Sequence, residues 1–480
     1  MSSKKVDSLI DALKYNKKEG GKRKDLQVNQ GDSKIRKLYW INELRMMLKL
    51  VKAAFICSAG LLGTMDLCGQ QELDDPLVVE VLRNAKGITR AVVENPDAYR
   101  LQIIYTQINR DKKGVPHFKN YYYHVDPNAY FNPASMVKMP LAFLSLEQLN
   151  EQRIAGVNKH TWMAFDSSYP RQVALLRDTT ARDGKSTMAH FIKRALLISE
   201  NDPYNRMYQF VGQHDINKKL NQKGYASTRI TRQFMGFTED QNRRTNGIRF
   251  YDPSGKLIHT QAPTYNIDSF QFPSPILIGN AHMDRNDNKV DAPFDFTRHN
   301  SISLEDMQQM LQAVLFPEYV SPSKRFDMKE DDRQFLLKFL SQYPSETDDP
   351  KYDEKLFYDS YVKFFFQDSS HRMPSHVRVF NKVGWAYGFM TDVSYIVDTK
   401  NHVDYFLSAT IYVNSDGVVN DSKYDEETVG FPFFNEVGRL FYDYELKRKR
   451  EHRPALNGFG IRYDKRDPND LRTPIRIVDN

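Results

Sequence analysis

Cysteine is nearly absent from this 480-residue chain. Its two cysteines, Cys57 and Cys68, both fall in the first stretch, so residues 70 to 480 can hold no intramolecular disulfide. Excess charge is missing from the same stretch. The formal net charge is +7, yet residues 1 to 45 hold 12 basic against 6 acidic side chains, and residues 46 to 69 hold 2 against 1. Residues 70 to 480 are left with 54 of each sign. A nucleic-acid footprint needs basic excess on the folded part, so no nucleic-acid partner is expected. Metal and phosphate signatures are also lacking. There is no H-E-x-x-H, and His371 and His376 lie in a polar loop. Gly184-Lys185-Ser186-Thr187 lacks the upstream glycine of a phosphate loop. No metal and no cofactor are expected, and no G-x-S-x-G elbow is present.

Core-forming residues are plentiful. The chain holds 30 Phe and 27 Tyr at 40% hydrophobic content, which excludes a disordered or collagen-like chain. The stretch from Met46 to Gly69 places Lys49 and Lys52 before the apolar run Ala53 to Gly63, with small and polar residues following. That run falls short of the roughly 20 residues a spanning helix needs. The layout is that of a secretory signal peptide, with a short buried helix as the competing reading. Residues 1 to 45 read as a disordered leader or a mis-assigned start, Met46 or Met47 being the true one; a tail before an uncleaved anchor is the alternative. Cys68 is a candidate lipidation site, although Leu67 before it is bulky for one. The expected location is therefore exported, periplasmic or at the cell envelope. Membrane contact is expected only through the signal or a lipid anchor.

Periodicity divides the remainder. Residues 76 to 92 have helical spacing, 99 to 109 and 117 to 131 read as strands, and Met136 to Leu149 reads as an apolar helix that Pro140 should kink. Two helices flank Ser199 to Pro203. Amphipathic helices follow over 303 to 315, capped by Ser303, and over 331 to 342. Strands are expected over 376 to 381, 389 to 398 and 403 to 413, and a last helix over 430 to 447. The order predicts an α/β (α+β) fold. An antiparallel sheet built from both chain ends packs against helices, with a helical subdomain inserted between. Residues 240 to 300, with a hairpin turning at Pro253-Ser254-Gly255, and residues 344 to 375 read as insertions. Residues 449 to 480 read as a C-terminal tail.

Ser135-Met136-Val137-Lys138 places a hydroxyl and an amine one helical turn apart, within mutual reach. Serine is a weak nucleophile and needs a base beside it. A lysine held neutral by burial and by other cations can be that base. The same pattern starts at Ser2, Ser321 and Ser360, but only Ser135 opens an apolar helix.

Ser199-Glu200-Asn201 and Lys382-Val383-Gly384 follow in order. With the serine motif they resemble the three signatures of class A β-lactamases and penicillin-binding proteins. The resemblance covers about 76 to 448. It implies an acyl-enzyme serine hydrolase in which Ser135 attacks an amide carbonyl and Lys138 takes its proton. Ser199 would relay a proton to the leaving nitrogen, and Asn201 would bind the substrate's side-chain amide. Lys382 would supply a positive field, and the N–H groups of Ser135 and Trp385, after Gly384, an oxyanion hole. Asn205 stands where the family keeps an Asn bracing its Ω loop. Glu239 is the best candidate for the acid that activates a deacylating water. Glu200 reads as a structural acid or ion-pair partner.

Two departures bear on substrate. Val383 replaces a Thr or Ser whose hydroxyl would bind a carboxylate, and Glu239-Asp240-Gln241-Asn242 misses the E-x-x-x-N spacing. The expected partner is a small-molecule β-lactam or a peptidoglycan-derived substrate, on a monomer. β-Lactam hydrolysis is the first expectation. A cell-wall D,D-peptidase or esterase, or a weakly catalytic peptidoglycan-binding relative, is the alternative that the departures favour.

Overall fold

The computed structural model describes residues 74 to 478, apart from 273 and 457. The leader, signal and lipidation readings lie outside the described residues.

Pro76–Leu82 (α1) and Gly87–Glu94 (α2) replace the single helix expected over 76 to 92. The break has a local cause. Lys86 is extended and Gly87 sits at φ +49°, a conformation that ends a helical run. Gln102–Arg110 (β1) and Pro116–Tyr123 (β2) then form a hairpin. β2 stops short of the expected 131 because His124 turns to φ +49°.

The Ser135 segment is a short 3-10 turn, Ala134–Val137, that feeds Lys138–Gln152 (α3). Pro140 therefore lies in the first turn, where its missing N–H would have no intrahelical partner, and the expected kink has no cause. Trp162–Phe165 (β3), Met188–Leu197 (α4), Asn201–Val211 (α5), Gln213–Gln222 (α6) and Glu239–Asn242 (α7) follow. The expected hairpin is Ile248–Tyr251 (β4) with Leu257–Gln261 (β5), and it pairs with β3 in a three-stranded sheet. The inserted block is thus helical with a small sheet of its own.

Short ribbons Leu277–Ile278 (β6), Ala281–Met283 (β7), Lys289–Val290 (β8) and Phe294–Asp295 (β9) complete the first insertion. Leu304–Leu315 (α8) starts where the Ser303 hydroxyl accepts the Asp306 N–H at 3.1 Å, and Glu330–Ser341 (α9) follows.

Val377–Ala386 (β10), Phe389–Asp398 (β11) and Val403–Tyr412 (β12) are three long antiparallel strands. Val418–Val419 (β13) pairs with β7, and Phe431–Lys447 (α10) ends the regular elements. The main sheet has the order β10-β11-β12-β1-β2, so strands from both chain ends meet at its centre. Side-chain alternation divides two cores. Ile103, Tyr105, Val383, Leu407 and Met390 face α1, α2 and α10. Ile104, Phe380, Tyr395 and Phe406 face the helical block.

Residues 449 to 478 are more than a tail. Arg466 donates to the carbonyls of Pro344 and Tyr352 at 2.9 and 2.7 Å, and Ile475 bridges to Tyr352. The chain end is a strap over the 344 to 353 segment.

α10 buries Phe433, Phe434, Val437 and Phe441 in the outer core and passes close to the Phe365 backbone. A Cβ at Gly438 would overlap the Phe365 carbonyl, so the helix can seat only with glycine there. Replacing Gly438 by Ala should lift α10 and cost about 1–3 kcal/mol. A lowered urea midpoint with an unchanged slope is the expected reading, and an unchanged midpoint would show that the helix can shift freely.

Candidate active site

Three separated pieces of chain meet at Lys138. The Ser135 turn is set by Asn132, whose Oδ1 accepts the Ala134 N–H at 2.8 Å, while Ala134 adopts φ +44°. A non-glycine residue held there stores strain of about 1–3 kcal/mol. Lys138 opens α3 and is fully buried. Its Nζ lies 2.7 Å from Ser135 Oγ, 2.8 Å from Asn201 Oδ1 and 3.3 Å from Ser199 Oγ, and it also donates to the Ser199 carbonyl.

This arrangement suits an uncharged amine, which has two N–H donors and one lone pair. The Ser199 carbonyl and Asn201 Oδ1 can take both donors, because neither can donate back in this orientation. The lone pair is then left for the Ser135 hydroxyl. The electrostatics agree. Burial first, then the Lys382 ammonium, hold Lys138 well below the ordinary lysine range, against a smaller upward pull from Glu200.

Ser199 sits between α4 and α5 at φ +72°. That turn aims both its carbonyl and its hydroxyl at the lysines. Lys382 Nζ donates to Ser199 Oγ at 2.8 Å and to its neighbour's carbonyl, Val383 O, at 2.7 Å. One hydroxyl therefore bridges two amines. Burial draws Lys382 down to about 7, with Lys363 adding to the effect and Asp392 opposing it.

Lys382 lies in the middle of β10, which runs past the expected strand end at 381. β10 is an edge strand. The carbonyls of Val377, Val379 and Val383 all bond outside the sheet, to Tyr343 Oη, Lys363 Nζ and Lys382 Nζ. A strand residue points its N–H and C=O to the same side. Trp385, in the same alternating series, therefore turns its N–H outward beside Ser135. Gly384 permits the approach. A Cβ there would overlap the Pro133 carbonyl and lie 3.0 Å from the Met136 nitrogen.

Val383 points the other way, into the outer core among Val379, Met390 and Phe434. It does not line the cavity, so its effect is on packing and not on the cavity wall. The Ser360–Lys363 pair is likewise on that outer side. The Lys363 amine donates to Leu340 O, Val379 O and Asn381 Oδ1 and braces the edge of β10.

Ser135, Ser199, Asn201 and Trp385 line one cavity of about 900 Å³. Asn205 stands below it and holds the next loop. Its Oδ1 accepts the Phe234 N–H at 2.8 Å, and Asn242 Oδ1 accepts the Gln233 N–H at 2.8 Å. The loop so held presents the Phe234 ring 5.3 Å from Lys138 Nζ.

Glu239 is not brought to the serine. The capping box of Thr238 and Gln241 fixes it at the start of α7, where its exposed carboxylate pairs with Arg298 at 2.5 Å. It lines a neighbouring chamber, not the cavity that holds Ser135. The carboxylate on the cavity wall itself is Asp284, which accepts the N–H groups of Asn286 and Asn288 at 2.8 and 2.9 Å and closes the β7–β8 turn.

Glu200 is an ion-pair partner. Arg194 donates to it at 3.0 and 2.5 Å and to Asp178 at 2.7 Å, and the Tyr352 hydroxyl donates to its other oxygen. This buried network fixes the peptide after Ser199. Neither Phe234 nor the Asp178–Arg194–Tyr352 set carried a sequence signal, because their spacing is set by loops.

Removing the Lys382 charge with Lys382→Met should raise the Lys138 pKa. A lysine can accept a proton only when deprotonated, so any acylation of Ser135 that uses Lys138 should rise with pH, and its acid limb should move to higher pH in the variant. A limb in the same place would show that the two amines do not interact. Glu200→Ala leaves Arg194 buried and half-paired, and should cost about 3–5 kcal/mol in a denaturant melt. A loss below 1 kcal/mol would contradict the network's role.

The chain resembles known proteins over most of this region. A class A β-lactamase from Clostridium kluyveri is 13% identical, with a TM-score of 0.42 over 74% of this chain and 97% of that one. A β-lactamase from Sphaerobacter thermophilus is 13% identical, with a TM-score of 0.38 over 75% and 96%. PBP-A is 12% identical, with a TM-score of 0.41 over 74% and 95%. No curated protein gives a significant match. A model of the β-lactamase enzyme family matches residues 90–331, half of the sequence, including Ser135, Lys138, Ser199 and Asn201. The chain belongs to the β-lactamase enzyme family.

Proposed function

We propose that the protein is acylated on Ser135 by a β-lactam or a related amide and releases the acyl group slowly, in the manner of a penicillin-binding protein. The observation that carries this reading is the buried Lys138 amine, 2.7 Å from Ser135 Oγ and held below its usual pKa range.

Lys138 takes the hydroxyl proton as Ser135 Oγ bonds to the carbonyl carbon. The N–H groups of Ser135 and Trp385 stabilise the oxygen that becomes negative, where one such donor contributes about 3–4 kcal/mol. The carbon–nitrogen bond then breaks. Ser199, bonded to both lysines, passes a proton to the leaving nitrogen. Asn201 retains one amide face for the substrate, since only its Oδ1 is engaged by Lys138.

Deacylation needs a water activated beside the ester. The loop that faces Lys138 offers the Phe234 ring, and the nearby acids Glu200 and Asp284 are tied up in an ion pair and a turn. This favours a persistent acyl-enzyme over rapid β-lactam turnover. The signal-like stretch from Met46 to Gly69 supports an exported protein.

Intact-protein mass spectrometry with benzylpenicillin over time tests the reading. The wild type should gain one penicillin mass and keep it for many minutes. Ser135→Ala should gain none, and Lys138→Ala should acylate about 10²–10⁴-fold more slowly. Fast turnover without an adduct would overturn slow release. No adduct and no turnover would overturn acylation itself.

A further inference from the structure

Beyond the cavity that holds Ser135 lies a second chamber of about 520 Å³, and the two share Arg232, Arg285 and His299 on their common wall. Together they exceed the pocket that a single compact ligand needs, since pockets for drug-sized molecules measure about 300–1,000 Å³. The second chamber is distinctive in its chemistry. Its walls carry Phe270 and Phe272, and four arginines, Arg232, Arg243, Arg285 and Arg298, border it.

The acids there neutralise one arginine of this set and leave three uncompensated. Glu239 is engaged by Arg298, and Asp295 accepts the Thr297 N–H at 2.8 Å. Among the described residues, Arg232, Arg243 and Arg285 have no carboxylate within ion-pair distance. The Arg232 guanidinium donates to the His299 ring, which burial and Arg232 itself push down to about 3, so that ring is neutral and acts as an acceptor. Arg243 donates to the carbonyls of Asn266 and Asp268. Arg285 makes no hydrogen bond or ion pair at all with the described residues.

Two of the guanidinium groups also lie beside aromatic rings. Arg298 lies 5.3 Å from the Phe272 ring centre, and Arg243 lies 6.0 Å from that of Phe270. A guanidinium held beside a ring loses less entropy on binding a planar anion, and Arg285 keeps its whole fork of donors free. A carboxylate is the planar anion that such a fork takes in two parallel hydrogen bonds.

We propose that this chamber is a binding site for a carboxylate-bearing arm of the substrate, so that the preferred substrate is an extended acidic peptide amide and not a compact lactam alone. The proposal rests on Ser135 being the reacting centre, because the shared wall makes the second chamber a continuation of that cavity. It also assigns the recognition of negative charge to the inserted ribbons and the 232 to 243 loop. β10 cannot supply a hydroxyl from Val383, which faces the outer core.

Isothermal titration calorimetry on the Ser135→Ala protein tests this without any acylation step. The probes are N-succinyl-D-alanyl-D-alanine and N-acetyl-D-alanyl-D-alanine, which differ by one terminal carboxylate on the acyl arm. The titration is run near physiological ionic strength, where charges farther apart than about 8 Å are screened. The succinyl peptide should bind at least tenfold more tightly. The further double substitution Arg243→Ala/Arg285→Ala, which leaves the Arg298–Glu239 pair in place, should bring the two peptides within about threefold of each other, with circular dichroism reporting an intact fold. Equal affinities in the single variant, a preference that survives the loss of both arginines, or no binding of either peptide would overturn the inference. An acyl-enzyme on Ser135 would stand in each of those cases, since it is read from the penicillin adduct.

Discussion

A lysine amine kept out of water, with its proton removed, is the constraint that the rest of this site obeys. Burying an ammonium ion costs several kcal/mol even after relaxation, so the group discharges instead. Lys138 is fully buried and faces a second cation, Lys382. Both effects act in the same direction. The surrounding acceptors then decide where the free lone pair points. The Ser199 carbonyl and the Asn201 amide oxygen occupy the donors, and the direction that remains is toward Ser135. A charged lysine would donate its third N–H to Ser135 Oγ and leave that hydroxyl without a base.

Holding that geometry requires strain and close approach together. Ala134 and Ser199 both sit at positive φ, and Gly384 admits the edge of β10 against the turn that carries Ser135. Each is costly alone. They persist because firm supports stand behind them. Asn132 ties one turn, the Arg194–Glu200 pair ties the second, and Lys363 braces β10 from its outer face. The C-terminal strap belongs to the same scaffold, because it holds the segment that delivers Tyr352 to Glu200.

The parts of this design that sequence made legible are those with a local period or a local motif. The Ile- and Tyr-rich run of β1, buried on both faces, and the 3.6-residue spacing of α8 and α9 are readable because burial selects residue type along each element. The three short motifs announced Ser135, Lys138, Ser199, Asn201 and Lys382 because their chemistry depends on residue type. Long-range geometry left no such trace. Glu239 was the nearest acid in sequence to the expected loop, but a capping box turned it to the surface, and Phe234 took the place facing Lys138. Val383 looked like a lost substrate contact, but the pleat of β10 points it into the opposite core. The break before Gly87 and the straight start of α3 at Pro140 depended on a backbone angle and on an exact helix start, both of which patterns fix poorly.

The pairing at the centre of the main sheet has a consequence for how the chain is built. β1 ends at Arg110, and the strand that completes it, β12, begins at Val403. During synthesis the first hairpin must wait, with one flank unpaired, until nearly the whole polypeptide has emerged. Closing so long a loop is slow, and an open strand flank is where neighbouring chains adhere. The sheet can therefore close only after β12 has been made, and β1 keeps an open flank until then.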